Sequence, residues 1–433
     1  MNADAPPAKR PSVWRAFTQP SAWTMLFFGF SSGLPFLLVA GTLAFWLKQR
    51  GIAIQEITMI ASAGMAYALK FLWAPLLDHW RLPWFHQLGR RRGWLLFAQV
   101  CVAAALLLMA AITPDHLVAF VAATVAVAFF GATQDIAVDA YRIEIAPIES
   151  QGALVATYAL GYRLGLLAAG AIAPIMADHV PWQTVYVAMA SFMAIPIAAT
   201  LLAREPKWTP SRAPETWAAT LQASIVDPLV DFFRRYGVVL ASVTLVFILI
   251  FKIPEQATIG GIMSPFYRDM GFTQTQIGAI TKIYGVWIGI VGVFLGGAAV
   301  ARFGVWPTLF TAIVVCGCCN LLYLLLPAHQ GELWMLTAVI SGENLTLGFL
   351  GPPTVAFLSS LVNREHTATQ YALLASLLNM PGKIVGFFAG TVVAATGYAS
   401  FFMLTVLAVP PAALLCLWLW GRARRAGLPA AIP

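Results

Sequence analysis

The chain has 433 residues, of which 60% are hydrophobic and only 10% charged, with a mean hydropathy of +0.79; soluble domains carry about 25% charged residues. That balance excludes a water-soluble globule and leaves a channel, a transporter or a membrane-embedded enzyme. The formal net charge of +8 is read through the placement of Lys and Arg along the chain, as topology rather than as a nucleic-acid surface.

Residues 1–21 form a polar leading segment holding Lys9, Arg10 and Arg15. The apolar stretch from Trp23 to Trp46 is too long for a signal-peptide core and lacks a small-residue cleavage site, so it reads as a retained first helix. Twelve spans are predicted, at residues 22–47, 57–78, 94–112, 116–141, 152–177, 182–203, 236–262, 274–301, 307–327, 331–361, 366–393 and 398–421, with allowance for a shorter tenth helix and a loop at Pro352 and Pro353. The fold class is therefore all-α and polytopic. The longest polar interruption, Arg204 to Arg235, splits the spans six and six. The predicted organisation is a bundle at 22–203, a linker at 204–235, a second bundle at 236–421 and a tail at 422–433.

If the leading segment is cytoplasmic, that side also holds Arg81, Arg90, Arg91, Arg92, Arg142, Arg204, Lys207, Arg212, Arg234, Arg235, Arg302, Arg364, Arg422, Arg424 and Arg425, against Lys48, Arg50 and Arg268 opposite. The positive-inside rule then places both termini in the cytoplasm. Gly51 and Ile57 recur as Gly271 and Ile277, and Arg163 as Lys383, all at an offset of 220. Two parallel six-helix repeats are the symmetry expected of a transporter built from two bundles. All five cysteines, Cys101, Cys316, Cys318, Cys319 and Cys416, lie in apolar runs without His partners at zinc-like spacing, so no metal or other cofactor is expected.

Five blocks carry a resemblance: F-G-F-S-S-G-L-P at 28–35, K-F-L-W-A-P-L-L-D at 70–78, G-R-R-R-G-W-L-L at 89–96, T-Q-D-I-A-V-D-A-Y at 133–141 and L-G-Y-R-L-G at 160–165. In order and spacing they resemble the AmpG-type muropeptide permeases of the major facilitator superfamily, most densely over Gln19 to Gly165. The resemblance implies proton-dependent import of N-acetylglucosaminyl-1,6-anhydro-N-acetylmuramyl peptides through a bacterial inner membrane, by a monomer. Eukaryotic acetyl-coenzyme A transporters are similar in overall fold, which keeps open another anionic solute as the cargo.

Ionisable groups inside a bilayer mark interior sites by default. Asp135, Asp139 and Arg142 share one face of the fourth span, with Gln134 on its flank. Asp135, the deeper carboxylate, is the first candidate for binding and releasing a coupling proton, while Asp139 and Arg142 suit gating or a plain interface pair. Lys70 in the second span and Arg163 in the fifth lie too deep to snorkel to water; they suit substrate carboxylates, neutralisation of Asp135 or a structural ion pair. Lys383, the counterpart of Arg163, is read the same way. Lys252 and Glu255 flank Pro254 and either pair with each other or present Glu255 to substrate or protons. Glu343 is the rival proton site and Asn344 a substrate amide, with Tyr67 and Tyr158 as aromatic lining. Asp78 followed by Arg90, Arg91 and Arg92 resembles the gating loop of major facilitators, in which the carboxylate holds the inward gate shut.

A membrane-embedded transferase would need a constellation such as an interior His–Asp pair. The six histidines (His79, His86, His116, His179, His329 and His366) all sit at loops or span ends, and no glycine-rich phosphate loop is present. The expected function is transport rather than catalysis.

Overall fold

Hydrocarbon offers no partner for peptide N–H and C=O groups, so an apolar chain must satisfy them within each segment. The computed structural model describes residues 18–39, 41–52, 60, 62–80, 82–207, 226–259, 263–363 and 366–425, and among them every regular element is helical. Lys9, Arg10, Arg15, Ile57, Arg81, Arg212 and Arg364 lie outside the described residues.

Helix α1 runs as Pro20–Leu38 and Gly41–Gln49. Helix α2 is a string of short turns, Ser62–Met65, Ala66–Leu69, Lys70–Leu72 and Ala74–His79, broken around Pro75. Then come α3 (Arg90–Ile112), α4 (Leu117–Ile145) and α5, which is Ile148–Leu167 continued through a wide π-turn to Ala173–Ala177. Helix α6 is Trp182–Phe192 with Ala194–Leu202. In the second half, α7 comprises Asp227–Ile250, turned at Gly237, and Ile253–Ile259; α8 joins Gln274–Ile277 through the π-segment Gly278–Tyr284 to Gly285–Phe303. Helices α9 (Val305–Asn320) and α10 (Leu333–Leu361) follow. The run Thr367–Val406 turns at Gly397, where φ is 80°, so that α11 is its 367–396 part and α12 its 398–406 part with Val409–Arg425.

The allowance for a broken tenth span is corrected: α10 passes through Pro352 and Pro353 without a loop. Both prolines are buried, and neighbouring helices stabilise a backbone that would come apart in water. Among the described residues ten helical runs are long and apolar enough to cross a membrane; α2 and the greater part of α11 are not within them. Helix α2, broken into short turns, is the irregular member of a twelve-helix bundle. The 220-residue offset relates α2 to α8 and α5 to α11, so the α5–α8 and α11–α2 contacts are equivalent seams between the two lobes.

The cores show where the lobes join. On the half where α6 ends at Leu202 and α7 begins at Asp227, the linker face, Ala368 and Ala372 of α11 complete the first lobe's core, and Ile143 of α4 enters the second lobe's core. On the far half, the clusters around Trp46 and around Tyr323 each draw on their own lobe alone. The lobes are sealed to each other on the linker face.

Within the lobes, van der Waals packing replaces the hydrophobic drive that lipid cannot supply, and small residues let backbones meet. A Cβ added at Gly161 of α5 would fall 1.8 Å from the Leu26 carbonyl oxygen of α1; one at Gly292 of α8 would fall 2.2 Å from the Leu345 carbonyl oxygen of α10. Gly161→Val should therefore overpack α1 against α5 by about 1–3 kcal/mol or more. Thermal unfolding in detergent should show a lowered midpoint for this variant and no change for Gly390→Ala, whose added methyl meets nothing within 4 Å. Equal midpoints for the two would contradict the seam.

Candidate functional site

Helix α2 reaches the linker face at Asp78, whose carboxylate is 3% exposed. Its Oδ1 accepts from the Arg91 guanidinium at 2.8 Å and from the Ala368 N–H at 3.0 Å; its Oδ2 accepts from the Thr369 N–H at 2.8 Å and the Thr369 hydroxyl at 2.9 Å. Ala368 and Thr369 open α11. A first-lobe carboxylate thus satisfies the free N–H groups at the start of a second-lobe helix, where the helix dipole also favours a negative charge. Arg91 is held in turn by Glu144 of α4, which also pairs with Arg90 at 3.0 Å, while Arg90 donates to the Asp78 carbonyl at 2.6 Å.

Arg92 corrects the gating expectation. Successive helical residues project about 100° apart, and Arg92 turns away to the Thr200 and Leu201 carbonyls of α6, at 2.9 and 2.6 Å. It fastens α3 to α6 inside one lobe.

One layer deeper, Asp139 lies 3.6 Å from Lys70 of α2 and 3.6 Å from Arg142. Arg142 also donates to Gln151 at 2.6 Å and, across the seam, to Ser359 of α10 at 3.1 Å, with its guanidinium over the Tyr371 ring of α11. The partner of Lys70 is Asp139, one helical turn from Asp135. Lys70 still lies within electrostatic range of Asp135.

Asp135 gathers Ser32 of α1, Tyr67 of α2, and Tyr158 and Tyr162 of α5 around it. Asp135 Oδ1, Tyr67 Oη and both amide atoms of Gln134 are buried without a hydrogen-bond partner among the described residues. Buried polar groups are ordinarily paired, so this concentration on adjoining faces of α2 and α4 is the feature of the first lobe that packing does not explain.

In the second lobe Lys252 and Glu255 pair at 3.1 Å across the Pro254 turn. Gln256 of α7 donates to Asn379 of α11 at 3.2 Å. Asn344 donates to its own helix at Ile340 and packs against Gly285, whereas Glu343 faces Tyr323 and Tyr267 in the far-half core. Glu343 is therefore remote from the linker-face network. The side chain of Lys383 lies outside the described residues. Arg163 reaches across the seam to the Val286 carbonyl of α8, at 3.2 Å.

Residues the sequence left unmarked are Glu144, Glu205, Ser32, Ser359 and Thr369. Glu205, at the start of the linker, accepts from the Arg91 and Arg92 N–H groups at 2.8 and 3.0 Å and caps α3. A carboxylate just past a span end is the only signal such a cap leaves, and it does not distinguish a cap from a solvated charge.

Known proteins that resemble this chain identify its family. The model of the Major Facilitator Superfamily matches residues 22–379. The "Anhydromuropeptide permease" of Escherichia coli K12 is 36% identical over 405 residues, 93% of this chain and 80% of that protein. "Putative transporter AmpG 4" of Rickettsia conorii is 30% identical over 410 residues, 94% of this chain and 98% of that one. Among solved structures, the proton:xylose symporter XylE bound to 6-bromo-6-deoxy-D-glucose superimposes with a TM-score of 0.60 at 14% identity, covering 93% of this chain and 95% of that one. The human organic anion transporter MFSD10 gives 0.64 at 14%, covering 95% and 100%. At that identity the two structures speak for the fold alone.

Asp78→Asn removes a buried charge from Arg91 and from the α11 N-terminus, a loss of about 3–5 kcal/mol for a broken buried pair. In a background without native cysteines, Ser359→Cys should be poorly alkylated when Asp78 is present and labelled severalfold faster in Asp78→Asn. Identical labelling rates would show that the seal does not depend on Asp78.

Proposed function

This chain belongs to the AmpG-like muropeptide permeases of the major facilitator superfamily, and we propose that it imports N-acetylglucosaminyl-1,6-anhydro-N-acetylmuramic acid and its peptides across the inner membrane, coupled to protons. The lobes at 22–203 and 236–421 rock against each other around a site near the midplane. One chain holds both lobes and suffices as the transport unit.

The observation that carries the mechanism is that the two lobes meet on one face through hydrogen bonds and a cation–π contact, Asp78 to α11 and Arg142 to Ser359 of α10 and over the Tyr371 ring of α11, which can break and re-form as units. Arg90, Arg91, Arg92, Arg142, Arg204, Lys207, Arg235, Arg302, Arg422, Arg424 and Arg425 all lie toward that face, which favours a cytoplasmic linker and tail. The arrangement described is then the one closed to the cytoplasm. Substrate enters from the other side. Asp135 carries the coupling proton in this reading: it is an intramembrane carboxylate with one unbonded oxygen, and Lys70 and Asp139 beside it form a charge network that its protonation would rebalance.

Proteoliposomes given an inward proton gradient should accumulate labelled anhydro-muropeptide, and lose accumulation when the gradient is collapsed. Accumulation that ignores the gradient would remove the proton from the mechanism, and no uptake at all would remove the substrate assignment. Asp135→Asn should lower gradient-driven accumulation at least tenfold while leaving exchange between equal concentrations within about twofold of the parent. Retained concentrative uptake in this variant would move the coupling role to Glu255 or Glu343.

A further inference from the structure

Most cations set inside the bundle carry a partner of opposite sign. Lys70 has Asp139, Lys252 has Glu255, Arg142 has Asp139, and Arg90 and Arg91 have Glu144. Arg163 has no carboxylate within ion-pair distance among the described residues. It stands fifteen residues into α5, roughly 22 Å along the helix at 1.5 Å per residue, too far from either end to reach water by extending its stem. Its guanidinium instead crosses to α8, where it donates to the Val286 carbonyl at 3.2 Å and lies against Gly289. A Cβ at Gly289 would fall 2.6 Å from Arg163 Nη2 and 3.0 Å from Nη1, so the absence of a side chain at 289 is what admits the cation.

A carbonyl dipole is a weak partner for a full charge in a medium of low dielectric, and a carboxylate is a far stronger one. We propose that Arg163, seated on Gly289 across the α5–α8 seam, is an anion subsite that doubles as a lock. An anionic group of the cargo draws the guanidinium off the Val286 carbonyl and thereby loosens the seam. The chemical class recognised is a carboxylate, and Lys70, already neutralised by Asp139, is not its receptor. The inference rests on the proposed transport reading for the identity of the cargo, but not for the lock.

The test has two arms. Without ligand, spin labels at the linker-face ends of α5 and α8 should report a smaller closed population for Arg163→Gln and for Gly289→Ala than for the parent. The Gly289→Ala methyl meets the mobile end of Arg163 first, so this variant is expected to fold even if Arg163→Gln does not. With ligand, the parent should bind anhydro-muropeptide with free carboxylates about tenfold more tightly than the same molecule with its carboxylates converted to methylamides. Arg163→Gln should erase that preference, Lys70→Gln should keep it, and Arg163→Lys should restore part of it. Unchanged distances in both seat variants overturn the lock, and a preference that survives Arg163→Gln or vanishes in Lys70→Gln overturns the anion subsite. A parent that binds neither form refutes the substrate reading and the anionic release with it, while the ligand-free distances still decide the lock.

Discussion

Asp78 is a carboxylate with no access to water whose four short contacts come from opposite halves of the protein, the guanidinium of Arg91 from one and the first turn of α11 from the other. Such a charge is tolerable only while all its partners are present. The position of α2, the start of α3, Glu144 on α4 and the approach of α11 are all constrained by it. Arg90 and Arg91 repel each other, and Glu144 between them is what lets both lie beside the Asp78 peptide. Separation of the lobes must strip Asp78 of its second-lobe partners together, which favours a switch between two arrangements over gradual opening.

The rest of the architecture divides into stiff and yielding parts. Glycine contacts bring α1 onto α5 and α8 onto α10 at backbone distance, and the α5–α8 seam between them includes the reciprocal approach of Gly152 and Gly297. The equivalent α11–α2 seam is made of broken turns in α2 and a helix bearing Asn379, Pro381 and Lys383. The α11–α2 seam therefore suits the first moving edge, and the α5–α8 seam is the one that Arg163 fastens through the Val286 carbonyl. Asp135 lies on α4 beside the moving edge, so a change in its charge acts where the structure yields most readily.

Much of this was legible in the sequence. Apolar length disclosed the spans, and spacings of three placed Asp139 beside Arg142 and Lys252 beside Glu255 because helical neighbours recur at that interval. Contacts between helices follow no such interval. Asp78 meets Thr369 across 291 positions, and nothing in either local pattern names the other. Arg92 shared a motif with Arg90 and Arg91, yet its direction was fixed by helical phase and by α6. Lys70 was read as a site for substrate carboxylates, a neutraliser of Asp135 or half of an unassigned ion pair, and its partner is Asp139, one turn away on α4. Pro352 and Pro353 invited a break that the surrounding helices prevent.

The proposed transport cycle depends on a seal at the linker face that opens when cargo is loaded. Paired spin labels on the two lobes, one pair at each face, measure this directly in the unmodified latch. Addition of anhydro-muropeptide with protons should lengthen the linker-face distance while the opposite-face distance shortens. Distances that stay fixed at both faces during turnover, or change in the same sense, would contradict it.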